Sequence, residues 1–350
     1  MSTRFVAHTA ESWCLVADLR RVEDYPALLQ EAWSQATAPR GANAPTVIST
    51  FAGCGGSSLG YHMAGFRELL AVEWEQNAAD TFRLNFPHVP LYHGDIASLS
   101  VDECLRLAGV RPGELDVFDG SPPCQGFSTA GAREIGDSRN QLFREYCRLL
   151  QGLRPRAFVM ENVSGMVKGD FKLLFAEILR ALKACGYRVK ARLLNAQFFG
   201  VPQSRERMIF VGIREDIGTE PSHPVGWSEP VIVRDAFRGV PASDAPPLTP
   251  RYASYWHAAA QGESVGKLRS VKKLHELRVS GTLLKSEGNG APYHPTECRA
   301  ISTSERRRIG SFPDAFAFTS HAAATERIGN SVPPLLMRSV AAHVRKLIAR

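Results

Sequence analysis

The 350-residue sequence lacks the features of membrane, exported and metal-binding proteins. No stretch approaches the roughly 18 consecutive apolar residues that a membrane-spanning helix needs. The N-terminus, Met-Ser-Thr-Arg-Phe-Val, has neither the basic start nor the apolar core of an export signal. The seven cysteines are scattered and include no Cys-x-x-Cys pair, which argues against a disulfide scaffold or a zinc ribbon. We therefore expect a cytoplasmic protein with reduced cysteines and no metal site.

Low-complexity stretches and internal repeats are also lacking, and the composition is that of a globular protein. Hydrophobic residues make up 44% of the chain and charged residues 22%, which excludes wholesale disorder. The formal net charge of +7 favours a polyanionic partner, although a basic protein without such a partner explains the charge equally well. The length exceeds that of one ordinary domain and suits about two.

The chain divides into segments that differ in composition and hydrophobic pattern. Residues 1–45 end in a stretch rich in Pro and Gly, and we treat them as an N-terminal extension whose role is unknown. Residues 46–216 alternate apolar runs with amphipathic stretches, which predicts an α/β, Rossmann-like, doubly wound and mainly parallel sheet. Residues 217–293 are rich in Pro, Gly, Ser and isolated basic residues, which predicts a smaller, irregular, partly β domain, and the helical pattern of 294–350 returns to complete the first domain. The predicted strands are 47–51, 69–73, 91–93, 115–119, 157–160, 187–194 and 208–213, with helices at 142–153 and 171–185.

A glycine-rich segment follows the first predicted strand: residues 51–60 read Phe-Ala-Gly-Cys-Gly-Gly-Ser-Ser-Leu-Gly. Its glycines permit a tight turn and the close approach of a ligand to backbone amides. Glu73 closes the next strand, where a carboxylate can hold ribose hydroxyls, Trp74 offers a stacking face, and Asp95 ends a third strand. Because Ser58 replaces the third glycine of the dinucleotide fingerprint, the spacing favours an adenosine-containing cofactor other than NAD. A turn needed only for packing is the alternative.

Two further motifs end strands at the same predicted sheet edge. Residues 119–128 read Asp-Gly-Ser-Pro-Pro-Cys-Gln-Gly-Phe-Ser, and the prolines stiffen the backbone just before Cys124. This cysteine can be a nucleophile, although a buried cysteine is more usually inert. Glu161 and Asn162 end the next strand, where a carboxyl with a raised pKa can donate a proton or can simply cap a helix. The segment 126–140 has the composition of a mobile loop over a site.

Two arginine-containing motifs follow. Residues 199–207 read Phe-Gly-Val-Pro-Gln-Ser-Arg-Glu-Arg, and strand alternation puts Gln203, Arg205 and Arg207 on one face. Convergence on an acidic residue and an anionic substrate is the functional interpretation, and surface arginines at a strand edge are the alternative. Residues 327–334, Arg-Ile-Gly-Asn-Ser-Val-Pro-Pro, are explained by a turn before a proline-started helix. The arginine run 306–308 predicts an exposed helix face.

Together and in this order, the motifs resemble the DNA cytosine-5 methyltransferase family over residues 46–215 and 294–345. Pro-Pro-Cys-Gln, Glu-Asn-Val and Gln-x-Arg-x-Arg carry the resemblance, and His294-Pro, Arg299 and the Ser-Phe-Pro-Asp of 311–314 add to it. The resemblance implies S-adenosylmethionine as cofactor and methyl transfer to carbon-5 of a cytosine that is flipped out of double-stranded DNA. Ser49 stands where many members have Asp.

The resemblance also implies roles for individual residues. Cys124 would be the nucleophile that forms a covalent adduct, Glu161 the proton donor at the base, and Arg207 the residue that holds the base carbonyl and orients Glu161. The implied catalytic pocket is completed by Pro123, Asn162, Gln203 and Arg205. The implied cofactor site comprises Phe51, Gly53, Cys54, Gly55, Gly56, Glu73, Trp74, Asp95, Ile96, Pro123, Leu142, Asn330 and Ser331.

Residues 217–293 are implied to be the target-recognition domain. Its basic residues are candidates for phosphate or base contacts, although for any single one a solvated surface charge is the better explanation. The implied DNA-binding residues are Gln125 and Ser128 in the loop after Cys124 and, in the recognition domain, Lys267, Arg269, Lys272 and Lys273, with Arg251 and Arg278 as further candidates. The resemblance implies a monomer on double-stranded DNA and is compatible with a cognate restriction endonuclease.

Three rival functions remain from the sequence. The first is an RNA cytosine methyltransferase of the same fold, whose tRNA-modifying relatives carry a Cys-Phe-Thr signature that this sequence lacks. The second is a catalytically silent DNA-binding protein, which the joint presence of Cys124, Glu161 and Arg207 disfavours. The third is a nicotinamide-dependent dehydrogenase, which the glycine spacing disfavours.

Overall fold

The computed structural model describes residues 4–7, 13–123, 141–163, 165, 172–240, 245, 247–264, 272–286 and 292–349. The strands are β1 (Arg4–Ala7), β2 (Trp13–Arg20), β3 (Thr46–Thr50), β4 (Arg67–Glu73), β5 (Leu91–His93), β6 (Val117–Gly120), β7 (Ala157–Val163), β8 (Tyr187–Asn195), β9 (Glu206–Arg214) and β10 (Gly226–Ser228). The helices are α1 (Tyr25–Thr37), α2 (Gly56–Met63), α3 (Gln76–Asn85), α4 (Val101–Ala108), α5 (Gln141–Leu153), α6 (Lys172–Ala184), α7 (Val233–Ala236), α8 (Pro250–Ala258), α9 (Thr303–Ile309), α10 (His321–Asn330) and α11 (Pro334–Leu347). No helix within these ranges is long and apolar enough to cross a membrane.

The central sheet has seven strands in the order β5-β4-β3-β6-β7-β9-β8. The first five run parallel, whereas β9 is antiparallel to both β7 and β8. The chain moves outward from β3 to β4 and β5 and then returns to place β6 on the other side of β3. This reversal opens a crevice at the carboxyl ends of β3 and β6, where open α/β sheets bind ligands. The predicted doubly wound, mainly parallel α/β fold is confirmed.

The two faces of the sheet are covered by separate hydrophobic cores, which explains why the central strands read as continuous apolar runs. On one face, α11 presses closely on α2: a Cβ at Gly60 would lie 2.6 Å from the Cβ of Met337 and 2.8 Å from the carbonyl oxygen of Pro334. On the other face, α5 contributes Leu149 and Leu150 to the second core. The C-terminal helix therefore packs on α2, the helix that follows the glycine-rich loop.

The N-terminal segment forms structure of its own. Strand β2 pairs antiparallel with β1 and parallel with β10. Helix α1 begins after Asp24, whose carboxylate accepts the Ala27 amide at 3.0 Å, and it buries Tyr25 and Leu29. The Tyr25 hydroxyl donates to the carbonyl of Arg308 at 2.8 Å. The predicted extension is therefore fastened to residues that follow the central sheet in the chain.

The arginine run on α9 is not an exposed face, so that prediction is wrong. Arg306 and Arg308 are both buried. The Arg308 guanidinium donates to both carboxylate oxygens of Asp314, at 2.9 and 2.6 Å. Arg299 similarly donates to both oxygens of Glu305 at 2.7 Å, and Glu305 completes the capping box of α9. The Arg299–Glu305 and Arg308–Asp314 pairs thus join α9 to the residues that precede and follow it. Their charge-assisted bidentate hydrogen bonds offset the cost of burying the guanidinium groups.

Candidate active site

The glycine-rich loop lies between β3 and α2 at the crevice. Gly53 and Gly55 have φ angles of +58° and +95°, in the region that favours glycine. A Cβ at Gly55 would lie 2.3 Å from the Phe86 ring, and one at Gly56 would lie 2.7 Å from the Val332 carbonyl oxygen. At Gly53, by contrast, a Cβ would meet nothing within 4 Å. Packing requires the glycines at 55 and 56, whereas Gly53 leaves open space at its surface.

Glu73 fastens this loop to the end of β4. Its Oε2 accepts the Gly53 amide at 2.7 Å, and its Oε1 accepts the amides of Trp74 and Glu75 at 2.9 and 2.8 Å. Glu73 is buried, whereas the adjacent Trp74 ring is 75% exposed. The structure thus brings together the glycine loop, the carboxylate and the aromatic face that the sequence suggested for a cofactor site.

The other predicted cofactor residues lie in varied environments. Asp95 is exposed and its carboxylate accepts the Ala97 amide at 2.9 Å, while Ile96 is buried. Phe51 and Leu142 are partly buried against the second core. Cofactor binding by these residues stays a prediction.

The turn after α10 reaches the glycine loop from the C-terminal end of the chain. The Ser331 hydroxyl donates to the Arg327 carbonyl at 2.6 Å and lies 3.3 Å from the sulfur of Cys54. Burial raises the pKa of the Cys54 thiol to about 11, so this thiol is protonated at neutral pH. Asn330 is exposed at the end of α10.

An ion pair that the sequence gave no sign of joins this turn to the loop after β4. The Arg327 guanidinium donates to both carboxylate oxygens of Glu75, at 2.7 and 2.6 Å. Arg327 is buried with a side-chain exposure of 3%, and Glu75 is 43% exposed. The pair therefore connects Asn330 and Ser331 with Glu73 and Trp74. No local pattern could reveal it, since the partners are 252 residues apart.

On the other side of the crevice, Glu161 pairs with Arg207. The Arg207 Nε lies 2.7 Å from Glu161 Oε1, and both side chains are largely buried. Strands β7 and β9 are antiparallel, with Asn162 opposite Met208, and this register brings the two motifs together. The Arg207 Nη1 also donates to its neighbour's carbonyl, Glu206 O, at 2.8 Å. A carboxyl paired with a guanidinium in this way is held in a fixed orientation.

Asn162 connects β7 to the Pro-Pro motif. Its side-chain amide donates to the Pro122 carbonyl at 3.2 Å, and the next residue, Pro123, is exposed. Cys124, Gln125 and Ser128 lie outside the described residues. The end of the Pro-Pro motif and the Glu161–Arg207 pair are thus held at one edge of the sheet.

A buried carboxyl beneath this edge was missed from the sequence. Asp119, near the end of β6, is buried and accepts a hydrogen bond from the Tyr61 hydroxyl at 3.2 Å. Burial raises the pKa of Asp119 well above its usual range, and the charges of Glu68 and Glu161 raise it further. The only available signal was an acidic residue inside an otherwise apolar strand.

Gln203 and Arg205 differ from Arg207 in their surroundings. Both are buried, and the Arg205 guanidinium donates to the carbonyls of Leu283 at 3.1 Å and Gly329 at 2.7 Å. Burial, together with the smaller effect of the neighbouring Arg207 charge, lowers the pKa of Arg205 to about 9. These two residues contact the backbone of distant segments, whereas Arg207 pairs with the carboxylate.

Among the predicted DNA contacts in the recognition region, Lys273 is not on the surface where we predicted it. Its Nζ is buried, donates to the Trp256 and Ala259 carbonyls at 3.4 and 3.2 Å, and lies 3.6 Å from the centroid of the Trp256 ring. These contacts give it a structural role, because carbonyl and ring partners replace its hydration. Lys272 is exposed, as are Arg251 and Arg278. Lys267 and Arg269 lie outside the described residues.

Comparison with known proteins identifies this arrangement. A family model for the C-5 cytosine-specific DNA methylase matches residues 45–233 and 250–346. Type II methyltransferase M1.HphI of Haemophilus parahaemolyticus is 36% identical over 338 residues, covering 86% of this chain and 87% of that protein. M.XorII of Xanthomonas oryzae pv. oryzae is 32% identical over 367 residues, covering 87% and 86%. The solved structure of a candidate DNA modification methyltransferase from an E. coli prophage superimposes with a TM-score of 0.76 at 25% identity, covering 88% of this chain and 100% of that one. The chain therefore belongs to the C-5 cytosine-specific DNA methylase family and is a DNA cytosine-5-methyltransferase.

Proposed function

We propose that the enzyme binds S-adenosylmethionine in the crevice and methylates a cytosine that is flipped out of a specific duplex DNA sequence, through a covalent adduct on Cys124. The observation that carries this proposal is the Glu161–Arg207 pair, with Nε and Oε1 2.7 Å apart, beside the Asn162 contact to the Pro122 carbonyl. These contacts place an acid, a cation and the peptide leading to Cys124 at one sheet edge.

The residues of the crevice fit an adenosine-containing cofactor. The exposed Trp74 ring supplies a flat apolar surface for a base. The Glu73 oxygens, which already accept backbone amides, keep lone pairs that can accept from ribose hydroxyls. The open space at Gly53 allows close approach of the cofactor to the backbone. When bound, S-adenosylmethionine supplies an electrophilic methyl group on its sulfonium.

The chemistry assigned to the protein begins with Cys124. Carbon-5 of cytosine is a poor nucleophile, and addition of the Cys124 thiolate to carbon-6 moves the electrons of the 5,6 double bond into the ring as an enamine. Glu161 donates a proton or hydrogen bond at the ring nitrogen to stabilise that charge, and Arg207 holds the base carbonyl while it orients Glu161. After carbon-5 has received the methyl group, loss of its proton and expulsion of the thiolate restore the aromatic ring.

Duplex DNA must open for this chemistry, because the ring atoms are inaccessible within the base stack. Extrusion of one nucleotide costs a few kcal/mol, about the scale of a single lost base pair. Residues 126–140 would close over the extruded base, with Gln125 and Ser128 contacting DNA. In the recognition domain, Lys267, Arg269 and Lys272 would contact phosphates or bases.

Methyl transfer to different nucleic acids tests the proposal. Wild-type protein should transfer tritiated methyl groups from S-adenosylmethionine to duplex DNA and not to tRNA. Cys124→Ala should abolish transfer while the affinity for the cofactor, measured by isothermal titration, stays close to wild type. Tight duplex binding without labelling by the wild type would instead support a silent DNA-binding protein, and labelling of tRNA alone would support an RNA methyltransferase.

We also propose that the enzyme protects DNA against a cognate restriction endonuclease. The support is that the relatives named above are Type II methyltransferases. Bisulfite sequencing of DNA from cells expressing the enzyme will give the methylated sequence. DNA methylated in this way should resist cleavage by an endonuclease that cuts at that sequence, and unimpaired cleavage would contradict the proposal.

A further inference from the structure

We infer that Gln203, Arg205 and Gly329 form a docking site for residues 280–285, and that this docking determines how the enzyme discriminates between DNA targets. Residues 280–285, here called the docking segment, belong to the predicted recognition domain. Gln203 and Arg205 are then positioning residues that act through the segment. The inference rests on the proposed function, because it takes duplex DNA as the substrate.

The backbone of the docking segment is attached to the chain just before β9. The Ser280 amide donates to the Pro202 carbonyl at 3.0 Å, and the Ser204 amide donates to the Ser280 carbonyl at 2.8 Å. These bonds form a parallel bridge between Gln203 and Ser280. The Thr282 hydroxyl adds a third contact by donating to the Ser204 carbonyl at 2.9 Å. The segment thus pairs with the Gln-x-Arg-x-Arg motif as a short strand would.

Both ends of the Gln203 amide are used in this attachment. Its Oε1 accepts the Leu283 amide at 2.9 Å, and its Nε2 donates to the Ile309 carbonyl at 3.3 Å. Gln203 is buried, so losing either partner would leave a polar group without compensation. This amide therefore connects the docking segment with the end of α9.

Arg205 and Gly329 hold the other side of the segment. The Arg205 guanidinium donates to the Leu283 carbonyl at 3.1 Å and to the Gly329 carbonyl at 2.7 Å. Gly329 itself is in close contact, since a Cβ there would lie 2.4 Å from the carbonyl carbon of Leu284 and 2.5 Å from the amide nitrogen of Lys285. These are backbone atoms, which a rotamer change cannot move away. Glycine is required at 329 because the segment passes directly over it.

The docking segment and the catalytic pair are held by the same short stretch of chain. Arg205 is two residues before Arg207, which pairs with Glu161. The segment also presents the exposed side chain of Leu284. Displacing the segment should move a surface of the recognition domain, and we expect the Glu161–Arg207 contact to persist because no residue of the segment takes part in it. We expect such a displacement to change DNA recognition more than the rate of transfer from bound DNA.

Steady-state kinetics on two duplexes test this expectation. One duplex carries the sequence identified by bisulfite sequencing, and the other differs from it by one base pair outside the target cytosine. Gly329→Ala should reduce the ratio of kcat/KM for the two duplexes by about tenfold, the scale of one mismatched contact, with KM for DNA raised and kcat changed less than threefold. Thr282→Val should act in the same direction but weakly. The ratio should fall in Arg205→Met and recover in Arg205→Lys, which restores a donor.

Amide hydrogen exchange tests the docking without reference to activity. Gln203→Ala should accelerate exchange at Leu283, whose amide loses its acceptor, and at Ser280, while exchange in the central sheet stays slow. Lys272→Ala, at an exposed position outside the docking contacts, is the matched control and should leave both amides unchanged.

The inference and the proposed function can fail separately. Absence of methyl transfer by the wild type would overturn the proposed function, whereas the exchange experiment would still decide the docking. Unchanged exchange in Gln203→Ala would overturn the docking site. Unchanged discrimination in Gly329→Ala and Arg205→Met, with a fall in kcat alone, would show that these residues serve the transfer step and would overturn the inference.

Discussion

Replacing Glu75 with Gln should weaken cofactor binding although Glu75 is not expected to contact the cofactor. The Arg327–Glu75 pair joins the turn that carries Asn330 to the loop that carries Trp74. Glutamine keeps the shape of the side chain but loses the charge and one acceptor. In Glu75→Gln, the turn that carries Asn330 and the loop that carries Trp74 should be less well ordered before the cofactor binds. Binding must then order them, and that cost weakens the affinity for the cofactor.

The magnitude follows from the geometry of the pair. Hydrogen bonds to charged groups contribute about 1.5–3 kcal/mol, and removing one partner of a fully buried pair costs about 3–5 kcal/mol. Glu75 is 43% exposed, and Glu326 Oε1, 2.6 Å from Arg327 Nη2, remains in the variant. We therefore expect a loss of about 1–2 kcal/mol. If all of it opposes cofactor binding, the Kd rises about 5- to 30-fold.

Isothermal titration with S-adenosylmethionine measures this change, and the chain offers a matched control. Arg308 and Asp314 form a second bidentate pair, with side-chain exposures of 5% and 55%, and neither is among the predicted cofactor residues. Asp314→Asn should lower the thermal unfolding temperature about as much as Glu75→Gln does, without changing the Kd. An unchanged Kd in Glu75→Gln, or an equal rise in Asp314→Asn, would refute the reasoning.

Three further outcomes follow from the described geometry. Gly53→Ala should lower the free energy of unfolding only by the strain of its positive φ, about 1–2 kcal/mol. Gly55→Ala should lower the unfolding temperature more than Gly53→Ala does, because its Cβ meets the Phe86 ring; equal losses by calorimetry would contradict this. Burial raises the pKa of Asp119, so the stability that its protonated carboxyl contributes is fully present below the ordinary carboxyl pKa and is lost as pH rises. In urea titrations above about pH 4, the free energy of unfolding of Asp119→Asn should therefore rise relative to that of the wild type. A difference between the two proteins that does not change with pH would contradict this. Lys272→Ala should weaken duplex binding at low salt without loss of thermal stability, and Lys273→Ala should lower stability, as anisotropy and calorimetry will show; the reverse pattern would restore Lys273 as a surface contact.

The central sheet was predictable because its strands are buried on both faces. The predicted strand 47–51 corresponds to β3 (Thr46–Thr50), and 187–194 corresponds to β8 (Tyr187–Asn195). Such strands read as apolar runs with few alternatives. The Glu161–Arg207 contact could likewise be expected, since the resemblance named the roles of both residues; the structure supplies the geometry, with Glu161 near the end of β7 and Arg207 at the start of the antiparallel β9.

Long-range polar contacts were not predictable. The Arg327–Glu75 pair has no local signal, because only the folded chain brings its partners together. Lys273 was predicted to contact DNA and Arg306 to lie on an exposed helix face, yet the fold surrounds Lys273 with carbonyls and a ring and buries Arg306 within α9. A basic side chain in an irregular segment can be structural whenever the fold supplies acceptors, and composition does not reveal where these will be.

Nucleoside analysis by mass spectrometry tests the central claim most directly. Duplex DNA is incubated with methyl-labelled S-adenosylmethionine and either the wild type or Glu161→Gln, and it is then digested to nucleosides. The account predicts label in 5-methylcytosine with the wild type and a strong reduction with Glu161→Gln. Label on an exocyclic nitrogen of cytosine or adenine, or full activity of Glu161→Gln, would contradict it.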